Sequence, residues 1–455
     1  MTGWTHDAGS RVTCEELGNG TRASYTYDDA DRIVVLANIR SSGTTISSFE
    51  YSYDGAGNRL GVVEANGDRV TWTYDNTYQL TRERRSGANA YDITYTYDGV
   101  GNRLTKEEDS AVTTYAYDAA NEMTQSEDES GVTTYTYDAA GNMALSVNPS
   151  EEATTYSWDY ENRLTAVELP SSAISTFTYK SDGLRVQKED SAGTTKFIWD
   201  GQNVLLETDG DGDTVAAYTL APANFGMLLA QRRGGATKFF HFDALGSTDR
   251  LTNAAQAVSD SYLYEAFGKV IASSGSTANP FKYVGRLGYY FDPDLGQYYL
   301  RARWYDPATG RFVCRSPSPV TREHPYSYCR CNPIVFVDPT GMDIYPFQKC
   351  PPTRCDADKD PDLCHDWLNP HPAHWGQRCY RSEGLPMGPM PSRHCCYDKN
   401  GTLVNDHIDY WGPTIEVTVS PRPGRDCIYN PIGVVGHTII DVPPWWPWNW
   451  WPHNV

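Results

Sequence analysis

The chain has 455 residues, with 38 Lys plus Arg against 58 Asp plus Glu and a formal net charge of −20. With 39% apolar and 21% charged residues it has the balance of a folded protein, and with no basic run it is not expected to bind nucleic acid, whose phosphates are held by clustered Lys and Arg. Tyr (32) outnumbers Phe (13) and Trp (13) together, which points to all-β structure, and no apolar run approaches the ~18 residues of a membrane-spanning helix.

Met1–Gly20 is polar and shows no basic segment followed by an apolar one, so no signal peptide is visible. A repeat then runs to residue 200: aromatic–x–aromatic–Asp, a short turn, Gly-Asn or a variant, and Arg-Leu-Thr. It is seen at Tyr25-Thr-Tyr27-Asp28, Tyr51-Ser-Tyr53-Asp54, Trp72-Thr-Tyr74-Asp75, Tyr95-Thr-Tyr97-Asp98, Tyr115-Ala-Tyr117-Asp118, Tyr135-Thr-Tyr137-Asp138, Tyr156-Ser-Trp158-Asp159 and Phe197-Ile-Trp199-Asp200. Trp4-Thr-His6-Asp7 is a degenerate copy, and Lys180 replaces the Asp after Phe177-Thr-Tyr179. The last position of the motif recurs at intervals of 20 to 26 residues. Period-2 alternation places both aromatics on one strand face, and Asp, Gly and Asn supply the turn, so each unit predicts a hairpin. A lone hairpin cannot bury its apolar face, so the series must stack into a ribbon whose Tyr fill the core layer. Because the first copy starts in mid-pattern, the chain is expected to be the C-terminal piece of a longer secreted protein, with its own N-terminal repeats as partners.

This unit resembles the YD repeat of RHS proteins. The resemblance implies an all-β fold, a β-hairpin ribbon forming part of a spiralling shell.

Asp209-Gly-Asp211-Gly-Asp213 reads as a hairpin turn rather than a calcium loop, because the twelfth position of such a loop is Leu220. From Phe240-His-Phe242-Asp243 the pattern changes. Tyr262-Leu-Tyr264-Glu265, Asn279-Pro-Phe281, Arg301-Ala-Arg303-Trp-Tyr305-Asp306-Pro307 and Val337-Asp338-Pro339-Thr-Gly341-Met342 follow in order. Together they resemble the RHS repeat-associated core domain, so three regions are expected: repeats at 1–238, core at 239–342 and a variable module at 343–455. The resemblance implies that the core closes the shell, and that members cut themselves after the Asp-Pro-x-Gly-hydrophobic segment with two aspartates and an Arg. Two carboxyls are needed because one must stay protonated beside an ionised partner. Asp338 matches the second aspartate and Arg303 the Arg, but Ser316 stands where the first acid belongs. Cleavage after Met342 is therefore expected to be lost or slowed, with Asp338 left as a turn residue before Pro339.

Beyond residue 342 the composition shifts: 17 of 28 Pro, 8 of 13 Trp and seven of ten His lie there. Cys350, Cys355, Cys364, Cys379, Cys395, Cys396 and Cys427 show no Cys-x2-Cys spacing, so disulfides are expected rather than a metal, and no cofactor is expected. Seven is odd, which brings in Cys314, Cys329 and Cys331 as candidate partners tying the tail to the core. Cys379-Tyr-Arg381 and His394-Cys395-Cys396-Tyr397-Asp398 resemble part of the AMOP-type extracellular modules. The expected function is a non-enzymatic secreted or cell-surface scaffold displaying a small disulfide-rich irregular module to an extracellular protein or carbohydrate. The second reading is a polymorphic RHS toxin fragment whose tail is an encapsulated effector.

Overall fold

The period-2 alternation is realised as a continuous run of hairpins. In the computed structural model, which describes residues 3–222, 225–317 and 324–342 and the backbone of 345–346, 378–381, 392–397 and 403–409, twenty-six strands form one antiparallel sheet from β1 (Gly3–His6) to β26 (Val270–Ser274). Each strand pairs with the next along the chain, so the ribbon is a meander. By its contacts the chain divides into two units, Met1–Pro346 and Phe347–Val455. In the second, Arg378–Arg381, Ser392–Tyr397 and Leu403–Asp409 form a three-stranded antiparallel sheet.

The repeat Asp locks each turn. Asp98 Oδ1 accepts the N–H groups of Val100 (3.0 Å) and Asn102 (2.8 Å), while Oδ2 accepts Asn102 Nδ2 (2.8 Å). The same set recurs at Asp54/Asn58 and Asp138/Asn142. Where Arg stands in place of Asn, at Asp7/Arg11, Asp28/Arg32 and Asp159/Arg163, the guanidinium Nε makes the side-chain bond instead. The residue before that position is left-handed (φ 95° at Gly101), which explains the Gly of Gly-Asn. Asp209 closes its hairpin in the same way, accepting from the amides of Asp211 (3.1 Å) and Asp213 (2.9 Å).

The second aromatic of each unit ties one repeat to the one before it. Tyr27 Oη donates to the Val12 carbonyl (2.7 Å), Tyr74 to Arg59 (2.7 Å), Tyr97 to Leu80 (2.8 Å), Tyr117 to Arg103 (2.7 Å) and Tyr179 to Leu164 (2.8 Å). Trp is interchangeable with Tyr here because its indole N–H reaches the same acceptor: Trp158 Nε1 donates to Met143 (2.7 Å) and Trp199 Nε1 to Arg185 (2.8 Å). At these aromatics the pairing slips by one residue, as between Ala116 and Tyr117 or Ser157 and Trp158. A bulge repeated at the same place in every hairpin adds twist and bends the ribbon in one sense.

That bending brings distant repeats together. Asn19 Nδ2 donates to the Asn253 carbonyl (2.9 Å), Arg40 Nε to Gln256 (3.0 Å) and Asn38 Nδ2 to Phe242 (3.1 Å). The centre is filled by the segment after residue 280, whose Tyr283, Tyr289, Tyr298, Trp304, Tyr305 and Tyr328 are at most 2% exposed. Its aromatics join three apolar clusters with successive arcs of the ribbon, around Leu36–Tyr95, Met143–Phe177 and Phe197–Tyr262. Burial of this aromatic surface is the main driving force holding the ribbon around the plug.

Candidate functional site at the Asp338–Met342 junction

Four short strands organise the plug: β27 (Tyr290–Asp292), β28 (Gln297–Leu300), β29 (Arg303–Asp306) and β30 (Arg311–Phe312). They pair in order as an antiparallel sheet. Arg303 therefore opens β29, directly after a tight turn in which Arg301 takes φ 60°. The strand β31 (Phe336–Val337) delivers Asp338 to the same place.

Arg303 and Asp338 meet as a buried ion pair. Arg303 Nη2 lies 3.2 Å from Asp338 Oδ2, with the two side chains 5% and 1% exposed. Arg303 Nε also donates to the Gly341 carbonyl, and the guanidinium carbon sits 3.4 Å from the centre of the Phe312 ring. Asp338 Oδ1 accepts from Thr340 Oγ1 (3.2 Å) and from the Met342 amide (3.1 Å), while the Asp338 N–H donates to Tyr289 Oη (2.7 Å). Asp338 thus bonds within its own turn, and it is also a desolvated charge that removal of Arg303 would strand at considerable cost. Gly341 has φ +70°, and a Cβ there would stand 2.4 Å from the Leu300 carbonyl oxygen and 2.9 Å from the Arg303 nitrogen, so only Gly fits.

Ser316 belongs to the same constellation. Its amide donates to the Pro325 carbonyl (2.9 Å), which also accepts from Arg303 Nη1 (3.4 Å). All three residues singled out from the sequence are therefore linked, directly or through one carbonyl. A serine hydroxyl ionises far above any carboxyl, so Ser316 and Asp338 cannot share a proton as two acids do. What the arrangement can do is hold the Met342 junction rigidly.

Sequence reasoning missed part of that grip. Arg301 Nη1 donates to the Pro339 carbonyl, its Nε to Gln202 (2.8 Å) and its Nη2 to Leu287 (3.0 Å). The Arg301-Ala-Arg303 spacing was the available signal, since i and i+2 flank the tight turn; Tyr289, 49 positions away, gave none.

Three of the candidate disulfide cysteines, Cys314, Cys329 and Cys331, lie in the first unit. Cys314 and Cys331 are free thiols and are buried within that unit. Burial pushes the Cys314 thiol up to about 11, and Cys331 Sγ sits 3.4 Å from the Gly101 carbonyl oxygen. Cys329 is likewise buried. Cys350, Cys355, Cys364 and Cys427 lie outside the described residues, and Cys379, Cys395 and Cys396 fall on strands of the second unit, with Cys379 in register with Cys396. Among the described residues no group of three or more His, Cys, Asp or Glu is arranged to hold a metal ion, and no helix is long and apolar enough to cross a membrane.

The RHS Repeat family model matches residues 117–150. The chain is 32% identical over 149 residues to the tRNA3(Ser)-specific nuclease WapA of Bacillus spizizenii, covering 31% of this chain and 6% of that protein. It is 32% identical over 135 residues to the double-stranded DNA deaminase toxin A of Burkholderia cenocepacia, covering 29% of this chain and 9% of that one. The chain thus spans under a tenth of the length of both relatives. Among solved structures it is similar to the TcdB2–TccC3 complex, with 17% identity, a TM-score of 0.42, and coverage of 75% of this chain and 22% of that one.

Proposed function

Since this chain is an RHS/YD-repeat protein, we propose that residues 3–342 are the packaging end of a polymorphic toxin and that residues 343–455 are its effector segment. The observation that carries this reading is the junction. Arg301 and Arg303 clamp the carbonyls of Pro339 and Gly341, so whatever follows Met342 leaves from an immobilised point in the plug. An anchored exit suits a cargo held by the repeats. The matches to proteins named as nuclease and deaminase toxins support this reading over the adhesion scaffold and its AMOP-like module, which gives way to it. The repeats and plug serve as a non-enzymatic container, delivered to the cell surface or beyond. The tail has nine Lys plus Arg against thirteen Asp plus Glu, without the basic surplus that draws a protein to phosphate, and the proposal does not extend to a nucleic-acid substrate.

Expression in a bacterial host tests this. Residues 343–455 alone should arrest growth, and the whole chain should arrest it far less; soluble tail without arrest overturns the proposal. Within this reading, Ser316 keeps the junction uncut. The purified wild-type chain should stay whole on a denaturing gel, and Ser316→Asp should release a fragment of 113 residues. Spontaneous wild-type cleavage that disappears in Asp338→Ala would refute the role given to Ser316.

A further inference from the structure

Away from the Met342 junction, a lysine ringed by carboxylates joins the ribbon to the plug. On the ribbon, β18 (Arg185–Asp190) carries Lys188 and Asp190, two residues apart and therefore on one face of the strand. On the plug, Asp292 ends β27 and Asp294 lies in the turn that follows. Lys188 Nζ stands 2.8 Å from Asp190 Oδ2, 2.8 Å from Asp292 Oδ2 and 3.0 Å from Asp294 Oδ2. The side chains of Lys188 and Asp292 are 9% and 0% exposed and that of Asp190 14%, whereas that of Asp294 reaches solvent at 38%.

The two oxygens of Asp292 are used differently. Oδ1 accepts from the backbone N–H groups of Asp294 (3.1 Å) and Leu295 (3.4 Å), which are placed to stabilise negative charge growing on that oxygen if an amine adds to Cγ. Oδ2 faces the Lys188 amine. Asp292 cannot lose water to its own backbone, because that cyclisation needs the next residue's N–H and Pro293 has none. Burial lowers the Lys188 amine and the surrounding carboxylates raise it, with a net rise, so the ion pair is the resting form. An amine beside a carboxylic acid holds the same number of protons as that ion pair. Burial disfavours the charged form, so the exchange needs no proton from outside.

We propose that Lys188 and Asp292 join through an amide bond between their side chains, formed by the protein itself with Asp190 as proton carrier. The ammonium passes one proton to Asp292 Oδ2, the amine lone pair adds to Cγ, and a second proton moves from nitrogen to Asp190. Asp190 returns that proton to Oδ2 as the Cγ–Oδ2 bond breaks, and one water leaves. A C–N bond replaces a C–O bond, nothing is oxidised or reduced, and Asp190 ends as the carboxylate it began. The link fastens the plug covalently to the ribbon, whatever the tail does.

Mass spectrometry of the full chain, purified folded and then reduced and denatured, tests the proposal. The intact protein should be lighter than its sequence by one water. Tryptic digestion should yield residues 186–196 joined to residues 287–301 as one branched peptide. Lys188→Arg and Asp292→Ala should each restore the full mass, and Asp190→Asn should leave the chain unlinked on purification, since a proton carrier contributes about a hundredfold or more in rate. A wild-type chain of full mass overturns the proposal, and this measurement does not depend on any variant folding. A lost water that maps to other residues, or that persists in Lys188→Arg, overturns it as well. Complete linking in Asp190→Asn overturns the role given to Asp190.

Discussion

Glu83 on β8 (Leu80–Ser86) offers the sharpest test of the buried electrostatics. The residue is 2% exposed. Burial, with Glu265 nearby, pushes its carboxyl from the ordinary 4.5 up to about 7, against the opposing hydrogen bonds from the Ala266 amide and Tyr91. Because the folded protein prefers the protonated acid, the contribution of Glu83 is complete below about pH 4.5 and is lost as pH rises through about 7. The full difference amounts to about 3 kcal/mol, at about 1.4 kcal/mol for each pH decade. Glu83→Gln keeps an acceptor for Ala266 and an amide facing Tyr91 but cannot ionise. The variant should therefore gain on wild type by about 2–3 kcal/mol between pH 5 and pH 8.5. In a unit of this size that is roughly 2–6 °C in Tm. Paired thermal melts of the two proteins across this range read the effect directly. An equal Tm difference at both pH values would refute the assignment of a buried, protonated Glu83.

The tyrosine ladder predicts that Tyr97→Phe, which strips the Leu80 carbonyl of its donor, lowers stability by about 1–2 kcal/mol, measurable by urea unfolding. Trp158→Tyr should cost less than Trp158→Phe, because Tyr restores a donor toward Met143; equal losses would show that ring packing alone matters. At the junction, Gly341→Ala should destabilise the plug by several kcal/mol, since both the positive φ and the Leu300 carbonyl oppose a Cβ. Faster hydrogen exchange confined to the plug would report it. His324, pushed down to about 4 by burial and by Arg311, should stay neutral at physiological pH, donating from Nε2 to Asn102 Oδ1 (2.6 Å); an NMR titration midpoint near 6.5 would contradict this.

Much of the scaffold is legible from the sequence because its determinants are local. The Tyr-x-Tyr alternation, the Asp at the turn and the Gly before Asn act within five or six residues, so hairpin and turn follow without knowledge of the fold. Even the Tyr-to-carbonyl ladder reaches back only about one repeat and recurs wherever the motif does. Three members of the junction, Arg303, Ser316 and Asp338, were legible through their order in the core segment. Arg301 was within sight of them, whereas Tyr289 was not, because its contact with Asp338 depends on how the plug threads.

What tertiary structure alone decided involves residues far apart in the chain. Arg185 follows its own turn like any repeat arginine, yet it is 1% exposed, with Phe177, Phe197, Tyr290, Tyr299 and Trp304 all within 5.5 Å of the guanidinium carbon. Two of those rings belong to the repeats and three to the plug, so only wrapping creates the cage. The Lys188–Asp292 pair arises the same way, from a repeat strand and a plug strand brought face to face by the accumulated twist of many bulges. The buried thiols of Cys314 and Cys331 follow from the same enclosure, which no spacing of cysteines discloses. Local chemistry determined the repeating unit, because hydrogen bonds and alternation act over one hairpin. Charge burial, ribbon–plug contacts and junction were decided by closure of the ribbon on its plug, because desolvation depends on what stands opposite in space.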